Sequence, residues 1–378
     1  MNNIIILSKK LIVICLVLVL HVQQARSQGC CSGGSGSPIA GGTSPGVLGY
    51  QQMELATNFQ HLNSNRFKTK NKDTVSLFKD YNSNYLYSKV AYGLTKELTF
   101  SVEMGYFFNK TQIGLDSSRT KINGSGAGDL IIFPRYTLYS MVDSTKRWDI
   151  TVGMGYKIPL GKHDVQTLVS TNFLTGEKSY TTAPPLVQPT TGSHDFIFYG
   201  FILRGFPQHN FKIFANTTYI AKGWNSLGEK FGNYASMGIF ASKTLSEKIG
   251  LTLQLKGERI GKMQPAKNMD LLILYNVDTA STGTKRVMLV PQVSYSFKNL
   301  TCFGLYEIPI YEYVYGTQVV TQTQFTVGLS YRFFTTKNPV CPPGTEATYY
   351  ECPMKCEGSR RTSPGKCRVC GMDLKKEK

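Results

Sequence analysis

Residues 148–158 read Trp148-Asp149-Ile150-Thr151-Val152-Gly153-Met154-Gly155-Tyr156-Lys157-Ile158, an unbroken alternation of large apolar side chains with small or polar ones. Trp148, Ile150, Val152, Met154, Tyr156 and Ile158 share one period-two set, and Asp149, Thr151, Gly153, Gly155 and Lys157 share the other. A helix scatters such a set around its circumference, whereas a strand places it on one face. The pattern recurs in Leu98 to Tyr106, Ile249 to Lys256 and Phe325 to Phe334. It predicts about twelve strands, over 47–58, 84–93, 97–107, 128–140, 147–158, 194–204, 210–221, 232–243, 248–258, 287–297, 301–309 and 323–334.

The predicted connections alternate in length. Long ones (59–83, 108–127, 159–193, 222–231, 259–286, 310–322) take turns with short ones (94–96, 141–146, 205–209, 244–247, 298–300). Short turns at one end, long loops at the other and an even strand number are the organisation of an outer-membrane barrel. No 18-residue apolar run follows Gln28, so a membrane crossing would have to be made by a closed barrel. The expected fold is therefore all-β, an antiparallel transmembrane β-barrel of about twelve strands plus a small C-terminal module with four cysteines. A soluble β-sandwich alternates too, but buries its apolar face. Here Tyr and Phe gather at strand ends, as aromatic girdles require, and the other face is Gly, Ser, Thr and occasional charge, which suits a wet lumen.

The N-terminus reads as an address. Lys9 and Lys10, the apolar run Leu11 to Leu20 and the small residues around Ala25-Arg26-Ser27 make a secretory signal peptide over 1–27. A Gly/Ser-rich leader over 28–46 carries Cys30 and Cys31, and lipidation of Cys30 stays open. The barrel is then expected over 47–334, a linker over 335–348, the cysteine module over 349–374 and a basic tail over 375–378.

On the non-apolar faces lie the lumen charge candidates Lys89, Glu103, Arg135, Asp149, Lys157, Lys212, Lys256 and Arg332. Cations outnumber anions in this set, so an open pore would mildly favour anions. The alternative is a salt-bridged wall or plug, since twelve strands enclose a lumen that side chains could fill. The four histidines beyond the signal show no ligand spacing, Cys302 is expected to be a buried thiol on a strand, and His194-Asp195 is the one weak hint of a barrel lipase. No catalysis is expected. Cys30-Cys31-Ser32-Gly33-Gly34, Gly126-Ala127-Gly128-Asp129-Leu130 and Gly192-Ser193-His194-Asp195-Phe196 carry a loose resemblance to outer-membrane barrels assigned as transporters in aromatic-degradation pathways. That resemblance covers about 300 residues and implies a transport barrel without naming a solute.

The chemistry concentrates in the tail. Tyr350-Glu351-Cys352-Pro353-Met354-Lys355-Cys356 is followed by Pro364-Gly365-Lys366-Cys367-Arg368-Val369-Cys370-Gly371-Met372-Asp373-Leu374. Cys352, Cys356, Cys367 and Cys370 form two close pairs, and two such turns facing each other build a four-sulfur tetrahedron. Thiolates suit Zn2+ or Cu+, and the thioethers of Met354 and Met372 would favour Cu+ or Ag+. Two disulfides are the remaining option, because the periplasm is oxidising. A segment this short cannot fold on apolar burial, so metal or disulfides must hold it. The tail is similar to the heavy-metal-binding domain of periplasmic metal-efflux adaptors and metal-pumping P-type ATPases. The family's histidine is Lys355 here and its next proline is Cys356, which exchanges a nitrogen ligand for a thiolate one position later.

The formal net charge of +18 would by itself suggest nucleic acid. The signal removes three positive charges, the tail after Phe334 holds a net +4, and the remainder is scattered without a basic stripe. Scattered loop cations suit anionic lipopolysaccharide, and the nucleic-acid reading is dropped. The expected protein sits in the bacterial outer membrane with its tail in the periplasm. It would handle or transport heavy metal, with membrane lipid, metal ion and periplasmic metal-efflux components as partners. In the alternative, the barrel merely anchors a metal sensor or scavenger tail.

Overall fold

The computed structural model describes residues 46–115, 121–143, 146–245, 248–275, 277–336, 350–351 and 375–376. The expected signal peptide, most of the leader and the four tail cysteines lie outside the described residues. Twelve long strands make the wall: β1 Gln52–Ser64, β2 Asp80–Gly93, β3 Leu98–Ile113, β4 Lys121–Val142, β5 Arg147–Ile158, β6 Asp195–Phe206, β7 Phe211–Ala221, β8 Tyr234–Leu245, β9 Ile249–Ile260, β10 Thr284–Phe297, β11 Leu300–Tyr306 and β12 Thr323–Phe334. Each pairs antiparallel with its sequence neighbours, and β12 also pairs with β1 from Gln52↔Phe334 to Asn63↔Thr323. The ring is thus a closed twelve-stranded barrel with no free edge.

The strands run further than expected at the long-loop end, β1 to Ser64, β3 to Ile113 and β4 from Lys121, and two further differences have identifiable reasons. The first strand begins at Gln52 rather than 47. Gln51 is in the left-handed region (φ 59°), and the preceding chain turns back so that the Leu48 amide donates to Thr99 Oγ1 on the inner wall at 2.7 Å. The second difference lies between β11 and β12, where a loop was expected over 310–322. Ile308–Val319 is a strand there. β10 is 14 residues long and β11 only seven, so the upper half of β10 would be left with unsatisfied backbone groups. Ile308–Val314 covers that edge, from Leu289↔Ile308 to Thr284↔Val314, and its continuation pairs with Phe67–Lys70 from the β1–β2 loop.

The two faces of the wall are chemically opposite. Leu251, Leu253 and Leu255 of β9, Val327, Leu329 and Tyr331 of β12, and Phe196 and Phe198 of β6 point outward and are exposed. Exposed apolar side chains in a continuous belt require a hydrocarbon surround. Replacing Leu253 by Lys near mid-wall is expected to cost about 2–4 kcal/mol in lipid vesicles, read as a lower unfolding midpoint, whereas the same change in a water-facing wall would cost almost nothing. Inward, Phe133, Ile197, Tyr199, Phe201, Leu203, Phe214 and Phe240 form one buried cluster, and Met288, Val290, Phe303 and Leu305 form another. The glycines of the stretch 148–158 make room for the first. A Cβ on Gly155 would stand 2.7 Å from the Phe133 ring. At this level the lumen is filled by side chains.

Candidate functional site: the barrel interior and the cysteine tail

Ionic groups occupy the inner wall in layers. Nearest the short turns, Glu54 of β1 is 1% exposed and accepts Lys89 Nζ at 2.5 Å and Arg332 Nε at 2.6 Å. The register brings them together, since Glu54 lies opposite Arg332 on β12 and Lys89 lies opposite Ala56. At the same end Arg147 Nε donates to Asp149 at 2.7 Å. One step inward, Glu103 accepts Tyr87 OH at 2.6 Å and Ser101 Oγ at 3.0 Å, and the Arg135 guanidinium lies 5.7 Å from the Phe133 ring centre. Lys212 is half-buried and has no carboxylate within ion-pairing distance among the described residues.

At the long-loop end the segments 126–130 and 192–196 meet in one cluster. Lys157 Nζ bridges Asp129 and Asp195, reaching the latter at 3.0 Å, and Lys222 Nζ reaches the same Asp195 oxygen at 2.9 Å. Ser193 Oγ donates to Asp195 at 2.7 Å. Around the wall, Glu258 binds Lys256 and Arg286, both at 2.8 Å, while Lys256 also lies 3.6 Å from Glu307. In the adjoining loop, burial lowers the Lys222 amine while Asp195 opposes the change, and burial raises the Glu229 carboxyl against a hydrogen bond from Asn225.

Every lumen charge candidate read from the sequence falls on the inner wall, and most of the cations are matched by carboxylates that the sequence reading left out. Glu54, Asp129, Asp195, Glu258 and Glu307 supply the missing anions. Glu54 was legible in principle, because it holds a period-two position between Gln52 and Ala56.

Loops cover the long-loop mouth. Phe67 and Phe78 from the β1–β2 connection and Tyr81 of β2 form a buried cluster, with Leu186 of the β5–β6 connection and Val319 packed against it. Val187 is fully buried, Tyr81 OH donates to the Leu186 carbonyl at 3.2 Å, and Lys110 Nζ donates to the Gln188 carbonyl at 2.7 Å. The stretch around 183–190 is thus tied to inward-facing groups of β2 and β3.

The remaining singled-out residues separate. His194 points outward and pairs with Tyr156 OH at 2.9 Å, while its neighbour Asp195 points inward, so the two cannot act as a dyad. His61 and His163 hydrogen-bond Asn84 and Ser226 respectively. Cys302 is only half-buried, on the outer face of β11, because inward positions there belong to Thr301 and Phe303. Among the described residues no group of three metal-ligating side chains occurs. In the tail, Tyr350 pairs with Lys376 and Glu351 with Lys375, which joins the two ends of the segment that carries Cys352, Cys356, Cys367 and Cys370.

Closed twelve-stranded wall, outward apolar belt and inward ionic layers define a β-barrel of the outer-membrane kind. Comparison with solved structures agrees at the level of fold. An outer-membrane channel from Pseudomonas putida F1 superposes with a TM-score of 0.55 at 10% identity, covering 78% of this chain and all of the other. The KdgM porin (TM-score 0.35, 8% identity, 74% and 99% covered) and the translocator domain of the autotransporter NalP from Neisseria meningitidis (0.40, 13%, 75% and 89%) are more distant. Residues 349–377 match the family model of the heavy metal binding domain. No curated protein matches the chain.

Proposed function

We propose that this protein works in heavy-metal handling at the outer membrane, with the barrel holding a periplasmic, metal-binding tail. The single observation that carries this reading is the heavy-metal-binding domain at 349–377, with four cysteines in two close pairs, on the same chain as the barrel. Its soft, all-sulfur donor set fits Zn2+ held by Cys352, Cys356, Cys367 and Cys370, or Cu+ or Ag+ with Met354 and Met372 joining. The paired ends 350–351 and 375–376 support a closed segment around those donors. Phe334 ends β12 at the short-turn end, which barrels of this class turn towards the periplasm. The signal peptide over 1–27 belongs to the same reading.

A second reading, in which the barrel anchors a metal sensor or scavenger and passes no solute, is favoured by the filled lumen and covered mouth. Periplasmic metal-efflux components are the partners whose chemistry would match either form. The test is elemental analysis of the full chain purified in detergent under reducing conditions. About one zinc or copper per chain is expected, lost in Cys367→Ser/Cys370→Ser and released on acidification as the thiolates protonate. Metal-free protein without titratable thiols would replace metal by disulfides.

A further inference from the structure

Outside the lumen, at the long-loop end, the outer face of β7–β9 carries a cavity of about 380 Å³. Its floor is a cross-strand row, Tyr219↔Ala235↔Arg259, in which small Ala235 leaves room between the two long side chains. Lys230, Lys262, Asn233 and Gln264 line the rest. Asn233 Nδ2 donates to Tyr219 OH at 3.0 Å, which fixes the hydroxyl at the rim. The row continues to Lys285, opposite Arg259 on β10.

The electrostatics are one-sided. Most cations inside the barrel are ion-paired, Lys212 being an exception, yet none of Lys230, Arg259, Lys262 and Lys285 has an ion-pair partner among the described residues. Their contacts are aromatic instead: Lys230 with Trp224 at 5.8 Å, and Lys262 and Lys285 with Tyr315 at 4.9 and 5.8 Å. Asp278 feels the charge of Lys262 without pairing with it, and Glu229 is turned into a hydrogen bond with Asn225. Nearer mid-wall on the same outer face, Met237, Ile239, Leu253 and Leu255 are exposed and apolar. Cations above, hydrocarbon surface below and a recess between them have the layout of an amphiphile with an anionic head.

We propose that this recess binds the phosphorylated headgroup of an outer-leaflet glycolipid, with Arg259, Lys262 and Lys230 on phosphate and the acyl chains along β8 and β9. Cation and phosphate attract through charge-assisted hydrogen bonds, which a guanidinium makes bidentate. The proposal rests on the membrane barrel and is independent of the tail's metal chemistry.

The test uses the full chain in detergent, delipidated and titrated with bis-phosphorylated lipid A by native mass spectrometry. Arg259→Gln/Lys262→Gln is expected to weaken binding about twenty-five-fold, fivefold for each cation lost. Lys243→Gln, outward-facing at the short-turn end, should leave it unchanged. For the unaltered protein, lipid A stripped of both phosphates should bind as weakly as intact lipid A binds the double variant. Equal binding of stripped and intact lipid A would overturn the proposal, as would an unaffected double variant. Competition by millimolar inorganic phosphate as effective as by lipid A would also overturn it, making the recess a free-anion site. Heat-modifiable mobility on gels reports whether each variant has kept its barrel.

Discussion

Replacing Glu54 by alanine should cost about 3–5 kcal/mol, the usual result of leaving buried charge without its partner. Both Lys89 and Arg332 lean on this one carboxylate, and the side chains of Glu54 and Lys89 are 1% and 3% exposed. Glu103, opposite Lys89 on β3, is already held by Tyr87 and Ser101 and can offset only part of the loss. Urea unfolding in lipid vesicles, followed by heat-modifiable mobility, reads the loss directly. Glu54→Leu combined with Lys89→Met and Arg332→Met should recover much of it, since apolar side chains of similar volume replace the whole triad rather than break it. If Glu54→Ala changed nothing, water would reach these groups and the lumen would be wetter than its packing indicates.

The intact chain should carry no steady current in planar bilayers. Two barriers stand in series. Mid-lumen, Phe133 and Phe240 are both 1% exposed, with Tyr199, Phe201 and Phe214 packed around them. At the long-loop mouth, Leu186 packs on Phe67, Phe78 and Tyr81, and its neighbour Val187 is fully buried. Removing residues 184–189 alone should leave the aromatic barrier in place. Removing them together with Phe133→Ala and Phe240→Ala should give discrete openings. Truncating a buried Phe typically costs about 3–5 kcal/mol, so folding of the combined variant must be checked by gel mobility first. Steady conductance from the unaltered chain would restore an open-pore role and sink the anchor reading.

The contrast between what the sequence told and what it hid follows from locality. Period-two alternation and loop length are local, and they located all twelve wall strands, although the long-loop ends of β1, β3 and β4 extend six or seven residues beyond the expected spans. Ile308–Val319 was missed because its reason for being a strand is not local: it covers an edge of β10 that exists only once β11 proves short. The lumen charges lie on inward positions of the wall, but the sequence reading left out most of the carboxylates beside them. Glu54 pairs with residues 278 and 35 positions away, and no spacing rule announces that. His194-Asp195 looked like chemistry because adjacent letters suggest adjacent side chains, yet on a strand neighbours point to opposite faces. The cysteine tail was the converse case, since its likeness to the heavy metal binding domain is carried by a short local motif that needs no tertiary context.

Trypsin digestion of cells carrying a C-terminal epitope tests the central claim most directly. The tail offers many Lys and Arg sites, among them Lys355, Arg360, Arg361, Lys366 and Arg368. In intact cells the epitope should survive. After the outer membrane is permeabilised it should be lost, and added zinc or copper should slow that loss in the unaltered chain but not in Cys367→Ser/Cys370→Ser. Cleavage in intact cells would put the tail outside, and equal cleavage with and without metal would remove the metal-binding role that the account assigns to it.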